Sequence, residues 1–199
     1  MKRYTKMMCY FISACLCLWY LTVISWALHP IYYINKQLME GVKCEQARYD
    51  LREQLFFGTQ ENGMQKIKNW GFGWSYKESW GMWTIGKNAH LFFIINKGIT
   101  SDLKLTMLSD AFCPEGFQIV DILANDIMIG TLRVKDCSKK VSHIVIPKEL
   151  VKKDGLLHLE FNIQKPSSPQ QYGLSRDNRM LGIGMRWIKI ETMDKNEYL

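Results

Sequence analysis

The residues best equipped for chemistry lie in two stretches. Glu78 stands in "WGFGWSYKESWGMWTIG", Trp70 to Gly86, together with four of the chain's seven tryptophans, Tyr76 and four glycines. Asp177 stands between Arg176 and Arg179 in "SPQQYGLSRDNRMLGIGMRWIKI", Ser168 to Ile190. Two carboxylates at glycosidase separation would cleave a glycosidic bond as acid and base. Acids beside arginines serve more simply as ion-pair partners. Nothing else in the chain supports catalysis. His29, His90, His143 and His158 are scattered, and none pairs with another at metal-ligand spacing. No Gly-x-Ser-x-Gly elbow, phosphate loop or dinucleotide fingerprint occurs, and Gly182-Ile183-Gly184 is too short for a phosphate cradle. Cys44, Cys113 and Cys137 fit no zinc pattern. These residues predict a non-catalytic protein with no metal site and no cofactor.

The aromatic cluster suits carbohydrate. Flat rings stack on the apolar faces of sugar rings while neighbouring carboxylates and guanidinium groups bond the hydroxyls. The candidate sugar-binding residues are Trp70, Tyr76, Glu78, Trp80, Arg176 and Asp177. Side chains alternate between the faces of a strand. In one regular strand Trp80 and Trp83 therefore cannot share a face, whereas Trp74, Tyr76 and Trp80 can. The competing use of the same residues is structural. Trp74 or Trp83 would enter the core, and a Glu78–Arg179 or Asp177–Arg179 pair would lock the domain closed, since first and last strands of a sandwich commonly pair.

The elements that would position these residues are strands. Leu157, Leu159, Phe161 and Ile163 alternate with His158, Glu160 and Asn162, and Leu103, Leu105 and Met107 alternate with Lys104 and Thr106. Residues 89–95 and 183–190 are further strand-like runs. In residues 141–146 apolar residues at both parities suggest burial on both faces. Phe117–Ala124 and Ile127–Val134 form a candidate hairpin about Asn125-Asp126. That pairing sets residue 113 opposite 138, so a Cys113–Cys137 disulfide is plausible in an oxidising compartment, the alternative being two free thiols. Turn signals recur about every ten residues. The expectation is an all-β, jelly-roll-like β-sandwich over residues 64–193 with a short tail, 194–199.

The N-terminal third differs. Residues 1–6 carry Lys2, Arg3 and Lys6, and residues 7–28 contain no charge. Such a run is long enough to cross a hydrocarbon core of roughly 30 Å, and the positive-inside bias sends the rest of the chain across. A retained signal-anchor is favoured over a signal peptide cleaved after Ala27. Residues 29–63 read as a helical connector, with Ile34, Leu38, Val42, Leu51 and Leu55 near helical spacing. The net charge is +7. Without the three N-terminal cations it becomes 23 basic against 19 acidic residues, a mixed surface that excludes nucleic acid as a partner. Lys135, Lys139 and Lys140 read as a solvated turn, the alternative being a phosphate or lipid-headgroup patch.

Two motifs carry a family resemblance. "GWSYKESWGMWTIGKNAHL" and "GLSRDNRMLGIGMRWIKI" resemble those of an accessory β-sandwich domain of unknown function. That domain is fused to bacterial membrane phosphoglycerol transferases and polysaccharide glycosyltransferases. The matching positions include Gly73, Trp74, Glu78, Gly81, Trp83, Ser175, Asp177, Arg179, Leu181, Gly182 and Ile183, and Asp126 replaces a frequent glycine. The resemblance covers roughly residues 69–191. It implies a fold-determining role for Trp74, Trp83, Ser175, Arg179 and Gly182. It also implies an accessory role without transfer chemistry. Taken with the N-terminal run, the expectation is a single-pass protein of the bacterial inner membrane with a periplasmic C-terminal domain. Its partner would be envelope polysaccharide or glycolipid. The alternative is an interaction subunit docking on a membrane glycosyltransferase.

Overall fold

In a computed structural model of the chain, the described residues are 8, 12–13, 15–24, 48–59, 71–95, 98–135 and 137–193. The chain divides into two compact units, Met1–Lys43 and Cys44–Leu199. In the first, residues 15–24 are helical with exposed side chains. No helix among the described residues is long and apolar enough to cross a membrane. Apart from residues 8 and 12–13, the remainder of the 7–28 segment, and residues 29–47 and 60–63 of the connector, lie outside the described residues.

The second unit is a β-sandwich. One sheet has the order β1 (Arg48–Tyr49), β4 (Asn88–Ile95), β9 (Leu156–Ile163), β6 (Phe117–Ala124) and β7 (Ile127–Lys135). The other runs β2 (Gln54–Phe56), β10 (Leu181–Thr192), β5 (Leu103–Ala111) and β8 (Lys140–Ile146), with β3 (Met82–Ile85) also pairing with β10. From β3 to β6, and again from β7 to β10, each strand lies in the sheet opposite its predecessor, which is jelly-roll wiring. The core is the inward half of each alternating strand. Leu91, Phe93, Leu159, Phe161, Val120 and Ile122 come from the first sheet, and Leu105, Met107, Ile188 and Ile190 from the second. At roughly 1.5–3 kcal/mol per large side chain this burial is the main driving force.

Two sequence expectations fail here. Residues 48–49 and 54–56 are strands of the sandwich, joined by a turn, and not part of a helical connector. Leu55 pairs with Ile188 and is fully buried. Tyr49 is sealed in the core, where its hydroxyl accepts the Ile190 N–H at 2.7 Å, and that burial pushes its pKa up. The helical spacing of Leu51 and Leu55 is coincidental. The open edges of β4 and β10 offer backbone partners that an isolated helix would leave unpaired. The second failure is β8. Ser142, Ile144 and Ile146 face inward, but Val141, His143 and Val145 are exposed, so among the described residues this edge strand is buried on one face only.

The hairpin of β6 and β7 forms about Asn125 and Asp126, which both take positive φ, 46° and 71°. The Asn125 amide donates to the carbonyls of Leu150 and Leu156 and its oxygen accepts from the His158 N–H, which anchors the turn. At the open end of the hairpin Cys113 and Cys137 form a disulfide, Cα to Cα 5.5 Å.

Candidate functional site

Pairing of β3 with β10 brings the two motifs together. Arg179 is the hub. Its Nε donates to both Asp177 oxygens at 3.0 Å and its Nη2 to Oδ2 at 2.6 Å. Nη1 and Nη2 reach Glu78 Oε1 at 3.3 Å, and Nη1 also donates to Ser75 Oγ at 3.2 Å. The Tyr76 ring lies under the guanidinium, 4.6 Å from centroid to Cζ. Hydrogen bonding from Arg179 holds the Asp177 carboxyl below its ordinary range, and Arg179 in turn is held firmly cationic. The second Glu78 oxygen accepts the Trp80 indole N–H at 3.0 Å. The polar groups of this cluster are thus bonded to one another, and little hydrogen-bonding capacity points outward.

The tryptophans divide by environment. Trp74 packs on Phe57 and Phe161 at centroid distances of 5.2 and 5.8 Å and donates its indole N–H to the His90 carbonyl. Trp80 and Trp83 meet edge to face at 5.3 Å, contrary to the parity argument, because Trp80 precedes β3 in a bent segment closed by the Glu78 N–H to Gly81 carbonyl bond. The Trp80 ring lies against Gly184, where a Cβ would approach to 2.5 Å. Arg186, itself bonded to Asp110 at 2.7 Å, covers Trp80 at 4.8 Å. Trp80 is therefore packed between protein groups. Tyr76 is exposed and Arg176 is exposed. Trp70 lies outside the described residues. Gly182 is a packing position, where a Cβ would meet Ile163 at 2.6 Å.

The Arg179 cluster holds one end of a strap. A bridge between Ser167 and Leu181 closes the base of residues 167–181. Ser168 and Gln171 cap a short 3-10 turn, Pro169–Tyr172, by a reciprocal pair of side-chain bonds. Gly173 then reverses the chain at φ 66°. The Gln170 N–H donates to the Asp177 carbonyl, and the Asp177 N–H to Ser175 Oγ. Asp177, fixed by Arg179, thereby fixes the turn that carries Tyr172.

Tyr172 lines a cleft of about 350 Å³ beside the disulfide, together with Cys113, Glu115, Phe117, Lys165 and Gln171. That volume is at the small end of ligand sites. Lys165 Nζ lies 2.8 Å from Glu115 Oε2 and 4.8 Å over the Phe117 ring, and Tyr172 OH donates to Glu115 Oε1 at 3.2 Å. Those bonds, from Lys165 first and Tyr172 second, hold Glu115 below its usual range. Partial burial and the Glu115 bond push Tyr172 up. Phe117 and Tyr172 remain 39% and 42% exposed. Neither ring is among the sugar-binding candidates of the sequence. The signal for Phe117 is an aromatic at the first position of a strand, just after Pro114-Glu115-Gly116. The 55-residue separation of Phe117 and Tyr172 hid the pair.

The histidines also meet. His90 Nδ1 and His158 Nε2 are 3.0 Å apart, because β4 and β9 are neighbours. Phe72 and Phe92 flank the two rings in stacked contact at 4.1 and 4.5 Å. Burial pushes both histidines down to about 4, so they are neutral near pH 7. No cluster of three or more metal-ligating side chains occurs among the described residues.

No protein-family model matches the chain, and no curated protein matches it. Among solved structures, it is similar to the CBM36-1 domain of a multidomain xylanase from the hindgut metagenome of Trinervitermes trinervoides. That match has 14% identity and a TM-score of 0.37, and covers 57% of this chain and 79% of that one. A family 6 carbohydrate-binding module matches at 11% identity and TM-score 0.40, over 74% of this chain and 98% of that one. Dimeric latent PorU from Porphyromonas gingivalis matches at 14% and 0.42, over 76% and 13%. At TM-scores below 0.5 these likenesses carry no argument about what this chain binds.

Proposed function

We propose that the sandwich is a non-catalytic carbohydrate-binding module and that its site is the cleft between Phe117 and Tyr172. One observation carries this reading. Two half-exposed aromatic rings flank a cleft of small-ligand size with the Glu115–Lys165 ion pair at its edge. The rings offer stacking surface, and the ion pair retains donors and acceptors for hydroxyl groups. The Arg179 cluster acts as the clamp that sets the strap.

The uncharged 7–28 segment supports a membrane tether, and the Cys113–Cys137 disulfide supports an oxidising compartment on the far side. Together with the motif resemblance, these support an accessory role in bacterial envelope polysaccharide or glycolipid metabolism. A second reading, docking on a membrane glycosyltransferase, draws on Val141 and Val145, which are exposed on the outer face of β8.

The test is calorimetric titration of the full chain in detergent against a panel of envelope glycans. Phe117→Ala and Tyr172→Ala are expected to weaken binding at least tenfold, and Tyr76→Ala to leave it unchanged. Binding that needs Tyr76 and ignores Tyr172 would move the site to the Arg179 cluster.

A further inference from the structure

The cleft does not end at Phe117. A second hollow of about 310 Å³ shares Glu115 and Phe117 with the first and continues along β6 and β7 to Arg133 and Lys135. The strand register places these cations. Lys135 stands directly opposite Phe117, and Arg133 opposite Ile119. Cross-strand partners have Cβ atoms about 5 Å apart, and Arg133 and Lys135, two apart on one strand, share its face. Both are exposed. Neither has a carboxylate within ion-pair distance among the described residues, whereas Lys165 is engaged by Glu115 at 2.8 Å. The charged residues lining the joined groove are thus Arg133, Lys135 and Lys165 against Glu115 alone. Lys140, whose Nζ bonds the Arg133 carbonyl at 3.4 Å, adds a further positive charge alongside.

We infer that the ligand of this groove is an acidic saccharide: a sugar ring lies against Phe117 and a carboxylate or phosphate substituent is bound by Arg133 and Lys135. The inference rests on the carbohydrate reading of the cleft and adds its charge class. A neutral glycan would leave the guanidinium and ammonium groups without a partner. An acidic one gains charge-assisted hydrogen bonds whose strength depends on that pairing.

The experiment compares matched polymers on the full chain in detergent. Oligogalacturonate and alginate are each set against their carboxyl-reduced neutral forms, with inorganic phosphate as a free-anion arm. The acidic forms are expected to bind about tenfold tighter than the neutral ones at low salt, with the difference falling at 0.5 M NaCl. In the Arg133→Ala/Lys135→Ala variant the acidic and neutral forms should bind alike. In Phe117→Ala both should be lost. Both cations are exposed, so a cooperative melt like that of the unmodified chain is expected from the double variant. Equal binding of acidic and neutral forms, or an acidic preference that survives in the double variant, overturns the inference and leaves the carbohydrate reading intact. Binding of phosphate alone, without any glycan, overturns it as well. Failure of every glycan in both forms overturns the carbohydrate reading and the inference with it.

Discussion

Replacing Arg179 by methionine removes the hub that joins the two motifs and keeps most of the side chain's length. The guanidinium bonds Asp177, Glu78 and Ser75, with side-chain exposures of 19% for Arg179, 26% for Asp177 and 24% for Glu78. Breaking a fully buried pair costs about 3–5 kcal/mol, and a fully exposed one under about 1. The partial exposure places this cluster between those limits. After the change Glu78 still accepts the Trp80 indole and Asp177 still accepts the backbone N–H of residue 179, so neither carboxylate is left bare. The expected loss is about 2–3 kcal/mol, or a melting temperature lower by about 5–10 °C for a unit of this size. Because Arg179 holds the Asp177 carboxyl below its ordinary range, the advantage of the unmodified chain is present above about pH 4 and shrinks as the acid is protonated below it. Thermal melts of Arg179→Met, Glu78→Gln and the double variant measure this, with a coupling of about 1 kcal/mol expected between the two sites. A melting shift under 2 °C for Arg179→Met, or strict additivity with Glu78→Gln, would refute the assignment of the cluster as the clamp of the strap.

Three further outcomes follow from the same structure. Reducing the Cys113–Cys137 bond, which spans 24 residues, should lower stability by about 3 kcal/mol on the loop-entropy account, measured by urea unfolding with and without reductant. His90 and His158 are held neutral with pKa values of about 4. Their contribution is therefore complete above the unfolded value of about 6.5 and falls by roughly 1 kcal/mol per pH unit for each histidine as pH drops towards 4. A stability profile flat from pH 7 to 4.5 would contradict that. Asp126→Gly should stabilise the β6–β7 hairpin by about 0.5–1 kcal/mol, because glycine takes the φ of 71° without side-chain strain, and chemical denaturation checks it.

The alternation of Leu157 to Ile163, the hairpin about Asn125-Asp126 and the all-β class were legible in the sequence, because period-two burial and turn chemistry are local. The approach of Arg179 to a carboxylate was legible to the extent that Asp177 is two residues away. The Glu78 contact was readable only through the general pairing of first and last strands. Tertiary structure decided the rest. It drew residues 48–49 and 54–56 into strands by offering open edges at β4 and β10, and it packed Trp80 onto Gly184 and under Arg186. It set His90 beside His158 across two neighbouring strands. It also satisfied the polar residues of the conspicuous aromatic stretch internally and formed the cleft elsewhere, from Phe117, Lys165 and Tyr172. None of those three residues is unusual in its own segment. They line one cleft because a strap held by Arg179 and a hairpin closed by a disulfide meet there, and spacing along a chain does not encode such long-range geometry.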